Sequence, residues 1–185
     1  MTIEVPHQPL PIDQSDVRYV HGPDSTVEPG VPVGETIEFE WNDSVIYPGT
    51  SRKFWVHVPA RYGPSRPASL MVFQDGWWYL DPVGEIRGAI VLDNLVHRGH
   101  IRVTIGVFVD PGVLPGPVHR HHRGAEYDAF DHRYVSFLLS EIIPEVTKRY
   151  SIAEDPDRRV LGNLSSSAQL SGGNRYPDLI PAVPP

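Results

Sequence analysis

Apolar and polar positions follow different rhythms in successive parts of the chain, and each rhythm predicts an element. Thr36-Ile37-Glu38-Phe39-Glu40-Trp41 alternates, as a half-buried strand does. After the turn residues Pro48-Gly49-Thr50, Lys53-Phe54-Trp55-Val56-His57-Val58 is a second strand of the same style, with His57 assigned to its outward face. The two are expected to pair antiparallel at a sheet edge, where a proline-flanked strand is tolerated. Ser69-Leu70-Met71-Val72-Phe73 is continuously apolar and so predicts a strand buried on both faces, ending in Gln74-Asp75-Gly76-Trp77-Trp78. A helix is expected over Ala89 to Val96, with Ile90, Val91, Leu95 and Val96 on one face and Gly99 as its stop. Ile101 to Val109 is another continuous strand, closed by Asp110-Pro111-Gly112, and a Pro- and His-rich loop runs on to about Ala125. Tyr134, Phe137, Leu138, Leu139, Ile142 and Val146 mark an amphipathic helix capped by Asp131, which Pro144 should kink or shift in its packing. Asp155-Pro156-Asp157 turns into a last apolar run, Val160 to Leu164.

Apolar strands alternating with helices predict an α/β fold: a mostly parallel sheet, helices on both faces and an antiparallel N-terminal edge. Ligands of such sheets bind at the carboxyl ends of the strands. The turn after Phe73, the loop after Val109 and the serines after Leu164 gather there. Residues 1–35 are rich in Pro, Asp, Ser and Gly with little periodicity, and read as an extended leader, either lying on the surface or partly disordered. Nothing repeats internally.

Composition narrows the function classes. The 185 residues suffice for one domain with a proper core. A net charge of -7 and a pI near 5.7, with no basic stripe, argue against nucleic acid or an anionic membrane surface as partner. Without cysteine there is no disulfide framework, thiolate zinc site or cysteine nucleophile. No apolar run reaches the roughly 18 residues of a membrane span. Met1 to Asp16 lacks the regions of a signal peptide, so the chain as written reads as cytoplasmic, with a periplasmic or secreted location left open should its start be altered.

The chemistry-bearing stretch is Arg159-Val160-Leu161-Gly162-Asn163-Leu164-Ser165-Ser166-Ser167-Ala168, an apolar run that breaks into serines and small residues. On its own residues this reads first as a Ser-rich loop. The other reading is a strand feeding a tight turn that exposes a nucleophile, where flanking residues must be small. Asn163 and Ser167 hold those flanking positions, and Asn tolerates unusual backbone angles.

From about His21 to Ala168 the chain resembles the enterochelin-esterase-related (esterase D-like) branch of the α/β-hydrolases. The resemblance rests on Gly22-Pro23-Asp24-Ser25, Tyr47-Pro48-Gly49-Thr50, Val72-Phe73-Gln74-Asp75-Gly76, the run Ile105 to Gly112, Arg123 with Glu126-Tyr127-Asp128, and Ile142-Ile143-Pro144-Glu145-Val146. In that family the following strand ends in Gly-x-Ser-Ser-Gly-Gly, and an ungapped fit puts the nucleophile on Ser165. The resemblance implies acyl transfer from a small-molecule ester without metal or cofactor, with Ser165 attacking the carbonyl. The oxyanion would be met by backbone N–H groups of Ser166 and of Gly76 or Trp77. Arg123 and Glu126 match a family motif and would shape the substrate pocket. Trp78, with Trp77 and Tyr79, either offers flat apolar surface to an aromatic acyl group or belongs to the core, the core reading being taken first.

The chain also departs from that family. Soon after Ala168 comes Ser171 to Ile180, which resembles a stretch lying well downstream in the family, so that the nucleophile helix is skipped. The strands that carry the family's carboxylate and histidine have no counterpart before Pro185. The resulting expectation is residues 36–168 as a partial α/β-hydrolase domain, incomplete at the C-terminus, and 169–185 as a short tail, with little turnover if this is the whole molecule. His119, His121 and His122, beside Arg120 and Arg123, read as a solvated loop rather than a metal site, because no helical spacing fixes a geometry. His97 and His100 flank a helix end, and Asp110 is well placed but without an orienting histidine. Two other classes remain open: a non-catalytic remnant that self-associates through an exposed sheet edge, and a carbohydrate- or siderophore-binding module built on Trp77 and Trp78.

Overall fold

The computed structural model describes residues 20–116, 120–129 and 131–162. Three apolar runs set the layout. Strands β1 (Glu35–Trp41), β2 (Arg52–Val58) and β3 (Ser69–Gln74) are followed by two helices, α1 (Gly76–Leu80) and α2 (Gly88–Arg98), and then by β4 (Thr104–Val109). A small hairpin, β5 (Val113–Leu114) and β6 (Arg120–His121), precedes the short helix α3 (Arg123–Tyr127). Helices α4 (Arg133–Phe137) and α5 (Ile143–Thr147) are joined by a π-helical turn over Leu138–Ile142, and β7 (Arg159–Gly162) closes the described chain.

The main sheet has the order β1-β2-β4-β3-β7. β2 pairs antiparallel with both β1 and β4, whereas β3 pairs in parallel with β4 and β7. Only β2 therefore runs against the others, which is the predicted mostly parallel sheet with an antiparallel N-terminal edge. β4 lies at its centre, buried at all six positions, as its unbroken apolar sequence requires.

Helices cover both faces. On one, the α4–π–α5 segment packs Tyr134, Phe137, Leu138, Ile142 and Val146 onto Phe54, Val56, Val72 and Val107. On the other, α1 and α2 bring Tyr79 and Leu92 against Phe108. The π turn answers the expectation about Pro144. Proline has no N–H to continue the ladder and its ring crowds the preceding turn, so the helix widens just before it, with Ile143 N–H donating to Leu138 O. Asp131 caps the segment by accepting the Arg133 N–H at 2.9 Å.

Three expectations need correction. His57 does not face outward. β2 is flanked by strands on both sides and covered by α2, so the imidazole is buried, with Thr36 Oγ1 2.8 Å from its Nδ1 and Asp93 Oδ1 3.0 Å from its Nε2. The stretch after β3, read as a turn, carries α1, and the Pro- and His-rich loop holds both the β5–β6 hairpin and α3. The described end of the leader is docked rather than simply extended: Asn94 Nδ2 of α2 donates to the carbonyls of Asp24 and Thr26, Arg87 donates to Ser25 O, and Arg98 pairs with Asp24 and Glu28. Residues 1–19 and the 169–185 tail lie outside the described residues.

Candidate functional site

β3, β4 and β7 are parallel and in register, Phe73 lying opposite both Phe108 and Gly162, so their carboxyl ends open on one rim of the sheet. The first residue past β3 is the key to that rim. Asp75 sits in the left-handed region (φ 54, ψ 52), which costs a non-glycine residue and persists only where surroundings enforce it. Its carboxylate takes two hydrogen bonds from Arg123, Nε at 2.8 Å and Nη2 at 2.7 Å, and its N–H donates to Tyr127 Oη at 3.4 Å. The Tyr127 hydroxyl in turn donates to Val109 O at 3.3 Å, and burial holds it well above its ordinary titration range, so it stays protonated. One aspartate thus ties the end of β3 to α3 and, through tyrosine, to the end of β4.

Gly76 follows because nothing larger fits: a Cβ there would lie 2.5 Å from the Phe108 carbonyl carbon and 2.7 Å from Val109 N, both backbone of the central strand. The close approach aims the first N–H groups of α1 at the residue after β4. Trp77 N–H donates to Asp110 Oδ1 at 3.0 Å, and Gly76 N–H also faces that carboxylate. Burial raises the Asp110 carboxyl above its ordinary value of 3.8, the two N–H groups opposing it. The donors expected from this turn therefore already face a carboxylate oxygen supplied by the protein.

Behind this rim lies a fully buried ion pair. Arg52 Nη1 and Nη2 donate to the two Glu126 oxygens at 2.6 and 3.0 Å, and neither side chain is exposed. Glu126 Oε1 also accepts from Gly112 N–H at 3.2 Å and lies 3.3 Å from His122 Nδ1. Gly112 is forced by this pair, because a Cβ would fall 2.6 Å from Glu126 Oε1. The guanidinium carbon of Arg52 lies 4.2 Å from the Phe137 ring centroid. Of the two expected pocket residues, Glu126 is thus sealed inside against Arg52, while Arg123 is partly exposed at the rim and holds Asp75.

Trp77 and Trp78 are 59% and 39% exposed and stack at 6.3 Å, whereas Tyr79 is buried against Phe73, so the core reading holds for Tyr79 alone. A cleft of about 660 Å³ opens beside them, lined by Trp77, Asp110, Pro111, Leu114, Lys53 and His121 among others. The β5–β6 hairpin, which the loop's composition did not reveal, carries His121 to this cleft, still exposed. The Gln74 amide, just before Asp75, is fully buried and without a hydrogen-bond partner. Ser165 and Ser166 lie outside the described residues; β7 ends at Gly162, next to the rim. Among the described residues no group of three or more His, Asp or Glu is arranged to hold a metal ion, and no helix is long and apolar enough to cross a membrane.

Solved structures share this architecture. A ferulic acid esterase of the anaerobic fungus Anaeromyces mucronatus superposes with a TM-score of 0.63 at 21% identity, over 85% of this chain and 60% of that one. The fold is the α/β-hydrolase fold. The enterobactin esterase of Shigella flexneri, crystallised in the presence of 2,3-di-hydroxy-N-benzoyl-glycine, gives a TM-score of 0.63 at 22% identity, over 86% of this chain and 37% of that one. A feruloyl esterase module of Clostridium thermocellum complexed with sinapinate gives 0.54 at 15%, over 82% and 52%. This chain thus spans at most about three fifths of the length of these α/β-hydrolases. No family model and no curated protein matches it.

Because Glu126 is, among the described residues, the carboxylate paired with a fully buried guanidinium, Glu126→Gln should lower unfolding stability by about 3–5 kcal/mol, the usual cost of stranding one member of a buried pair. Urea denaturation beside an Arg52→Met/Glu126→Leu double variant checks this: the double variant should recover much of the loss. Equal stability of Glu126→Gln and the parent would refute the role given to the pair.

Proposed function

We propose that the protein is a carboxylester hydrolase whose nucleophile is Ser165. The observation that carries the proposal is topological. β7 lies parallel to β3 at the rim where Gly76 and Trp77 present paired N–H groups, and the residues directly following β7 run into Ser165 and Ser166. In an α/β-hydrolase the strand beside β3 delivers the nucleophile, and the turn after β3 supplies one oxyanion donor. In this reading Ser165 Oγ adds to an ester carbonyl and the developing oxyanion is met by N–H groups of Trp77 or Gly76 and of Ser166; collapse breaks the C–O bond, the serine's proton passing to the departing alcohol, and water then hydrolyses the acyl-serine to release the acid and restore Ser165. The exposed Trp77–Trp78 pair provides a flat apolar wall suited to an aromatic acyl group. The enterobactin and feruloyl esterases of the same fold support this choice of substrate class.

Asp110 bears on the rate. Its carboxylate occupies the donors a substrate oxyanion would need, so an incoming ester must displace a charge-assisted hydrogen bond. Slow turnover is the expected consequence. Hydrolysis of p-nitrophenyl acetate should exceed background slightly and be abolished by Ser165→Ala; in complete triads such a loss reaches about a million-fold. A further fall with His121→Ala would place the base in the cleft described above. Equal rates for parent and Ser165→Ala would overturn the nucleophile.

Asp110 also makes stability depend on pH in a definite direction. A carboxyl whose pKa is raised by folding stabilises the fold while protonated, and that contribution is lost as pH rises from below 3.8 through its folded value. Asp110→Asn removes the titration and keeps an oxygen acceptor for Trp77 N–H. Thermal melts across about pH 3 to 7 should therefore show the variant gaining on the parent as pH rises. A constant difference would refute the assignment.

A second reading rests on β7, which pairs on one side only among the described residues and leaves Val160 about half exposed. In that reading the chain self-associates through this edge. Light scattering on a size-exclusion column should then show a dimer that Val160→Lys dissociates; a monomer at all concentrations would remove this reading.

A further inference from the structure

At the opposite end of the sheet from the candidate active site, a cleft of about 480 Å³ gathers four arginines from three separate segments. Arg61 and Arg66 come from the β2–β3 connection, Arg102 precedes β4 and Arg158 precedes β7. No acidic residue lines the cleft, and Ser65 adds a hydroxyl. Five other arginines, Arg52, Arg98, Arg123, Arg133 and Arg149, form ion pairs with carboxylates, whereas Arg87 donates to backbone carbonyls. The four of the cleft form no ion pair among the described residues. Asp155 and Asp157 line an adjoining cleft that shares Arg102 and Arg158, yet neither comes within ion-pair distance of them, and Asp155 accepts the Asp157 N–H instead.

Two of the guanidiniums are held in place by the main chain. Arg158 Nη2 donates to Pro67 O at 2.6 Å and its Nε to Ser69 Oγ at 3.2 Å, while Arg61 Nη1 donates to Val96 O at 3.3 Å. Arg66 and Arg102 donate no side-chain hydrogen bond among the described residues and keep their forks free. Converging like charges repel, and the protein has fixed two of them there in a chain whose net charge is -7. The arrangement makes sense with a counter-anion in the cleft. Planar guanidinium forks match the oxygens of phosphate in pairs, and four positive charges call for an anion carrying more than one negative charge.

We propose that this cleft is a binding site for a multiply charged phosphate group, of diphosphate size, distinct from the ester site. The proposal does not depend on the esterase reading. The test is isothermal titration of the full chain with inorganic pyrophosphate at fixed ionic strength, alongside citrate as a polycarboxylate of similar charge. Pyrophosphate should bind saturably at one site per chain and more tightly than citrate. Arg66→Gln/Arg102→Gln, which removes the two exposed guanidiniums without internal partners, should weaken it at least ten-fold while leaving the melting temperature unchanged. Lys148→Gln/Arg149→Gln, just after α5, removes the same charge elsewhere and should leave binding as it was. The proposal is overturned by absence of saturable binding, by equal binding in the Arg66/Arg102 variant, or by an equal loss in the Lys148/Arg149 control. Citrate binding more tightly than pyrophosphate would overturn the assignment to phosphate.

Discussion

A charge pair sealed from water governs the candidate-site half of this molecule. Arg52 and Glu126 are wholly buried, and desolvating both is tolerable only because their geometry is bidentate and the spare lone pairs of Glu126 are taken up by Gly112 N–H and His122. That requirement reaches outward. It draws α3 against the start of β2 and fixes the segment after β4, because Gly112 has to approach the carboxylate. It also seats the guanidinium over Phe137, joining the polar pair to the apolar face of α4. Once α3 is fixed in this way, Arg123 and Tyr127 are carried to Asp75.

The second consequence is electrostatic. Asp75 and Asp110 stand at the ends of two adjacent parallel strands, and the charge of Asp75 adds to the cost of ionising Asp110. Each has a separate remedy: Arg123 for Asp75, and the N–H groups of Gly76 and Trp77 for Asp110. The left-handed backbone at Asp75 connects the two remedies, since it turns the chain from strand into α1 and aims those N–H groups. On the opposite face, His57, Asp93 and the Gly34 N–H form a comparable tie, with Asp93 Oδ2 accepting from Gly34 at 2.9 Å, so that the chain entering β1 is anchored to α2.

Much of the sheet was legible because its strands obey simple burial rules. Unbroken apolar runs at Leu70–Phe73 and Ile101–Val109 predict the parallel strands β3 and β4, the latter starting only at Thr104, and alternation at Thr36–Trp41 predicts the half-buried edge. Alternation assigns His57 a face without saying what covers it, and Asp93 of α2 makes that face interior. The α1 helix and the β5–β6 hairpin left little trace, being only a few residues long and set by tertiary contacts rather than periodicity. Glu126 illustrates the limit for the site. Its spacing from Arg123 on α3 was visible, but the partner that absorbs it, Arg52, lies 74 positions away and carries no local signal.

Asp110 shows how the same local chemistry can support or oppose catalysis. Two backbone N–H groups aimed at one point form a receptor for negative charge whether that charge belongs to a tetrahedral intermediate or to a side chain. With the carboxylate in place, the donors are satisfied and the turn after β3 is stabilised in the ground state. A substrate that brings only a neutral carbonyl oxygen exchanges a strong acceptor for a weaker one, and recovers the difference only when that oxygen becomes anionic. On the proposed esterase reading the cost of displacing Asp110 is borne by ground state and transition state alike, so the carboxylate slows turnover without adding discrimination between them. Partial burial acts against the same carboxylate, raising its pKa and so opposing the ionised form that accepts most strongly from Trp77 N–H.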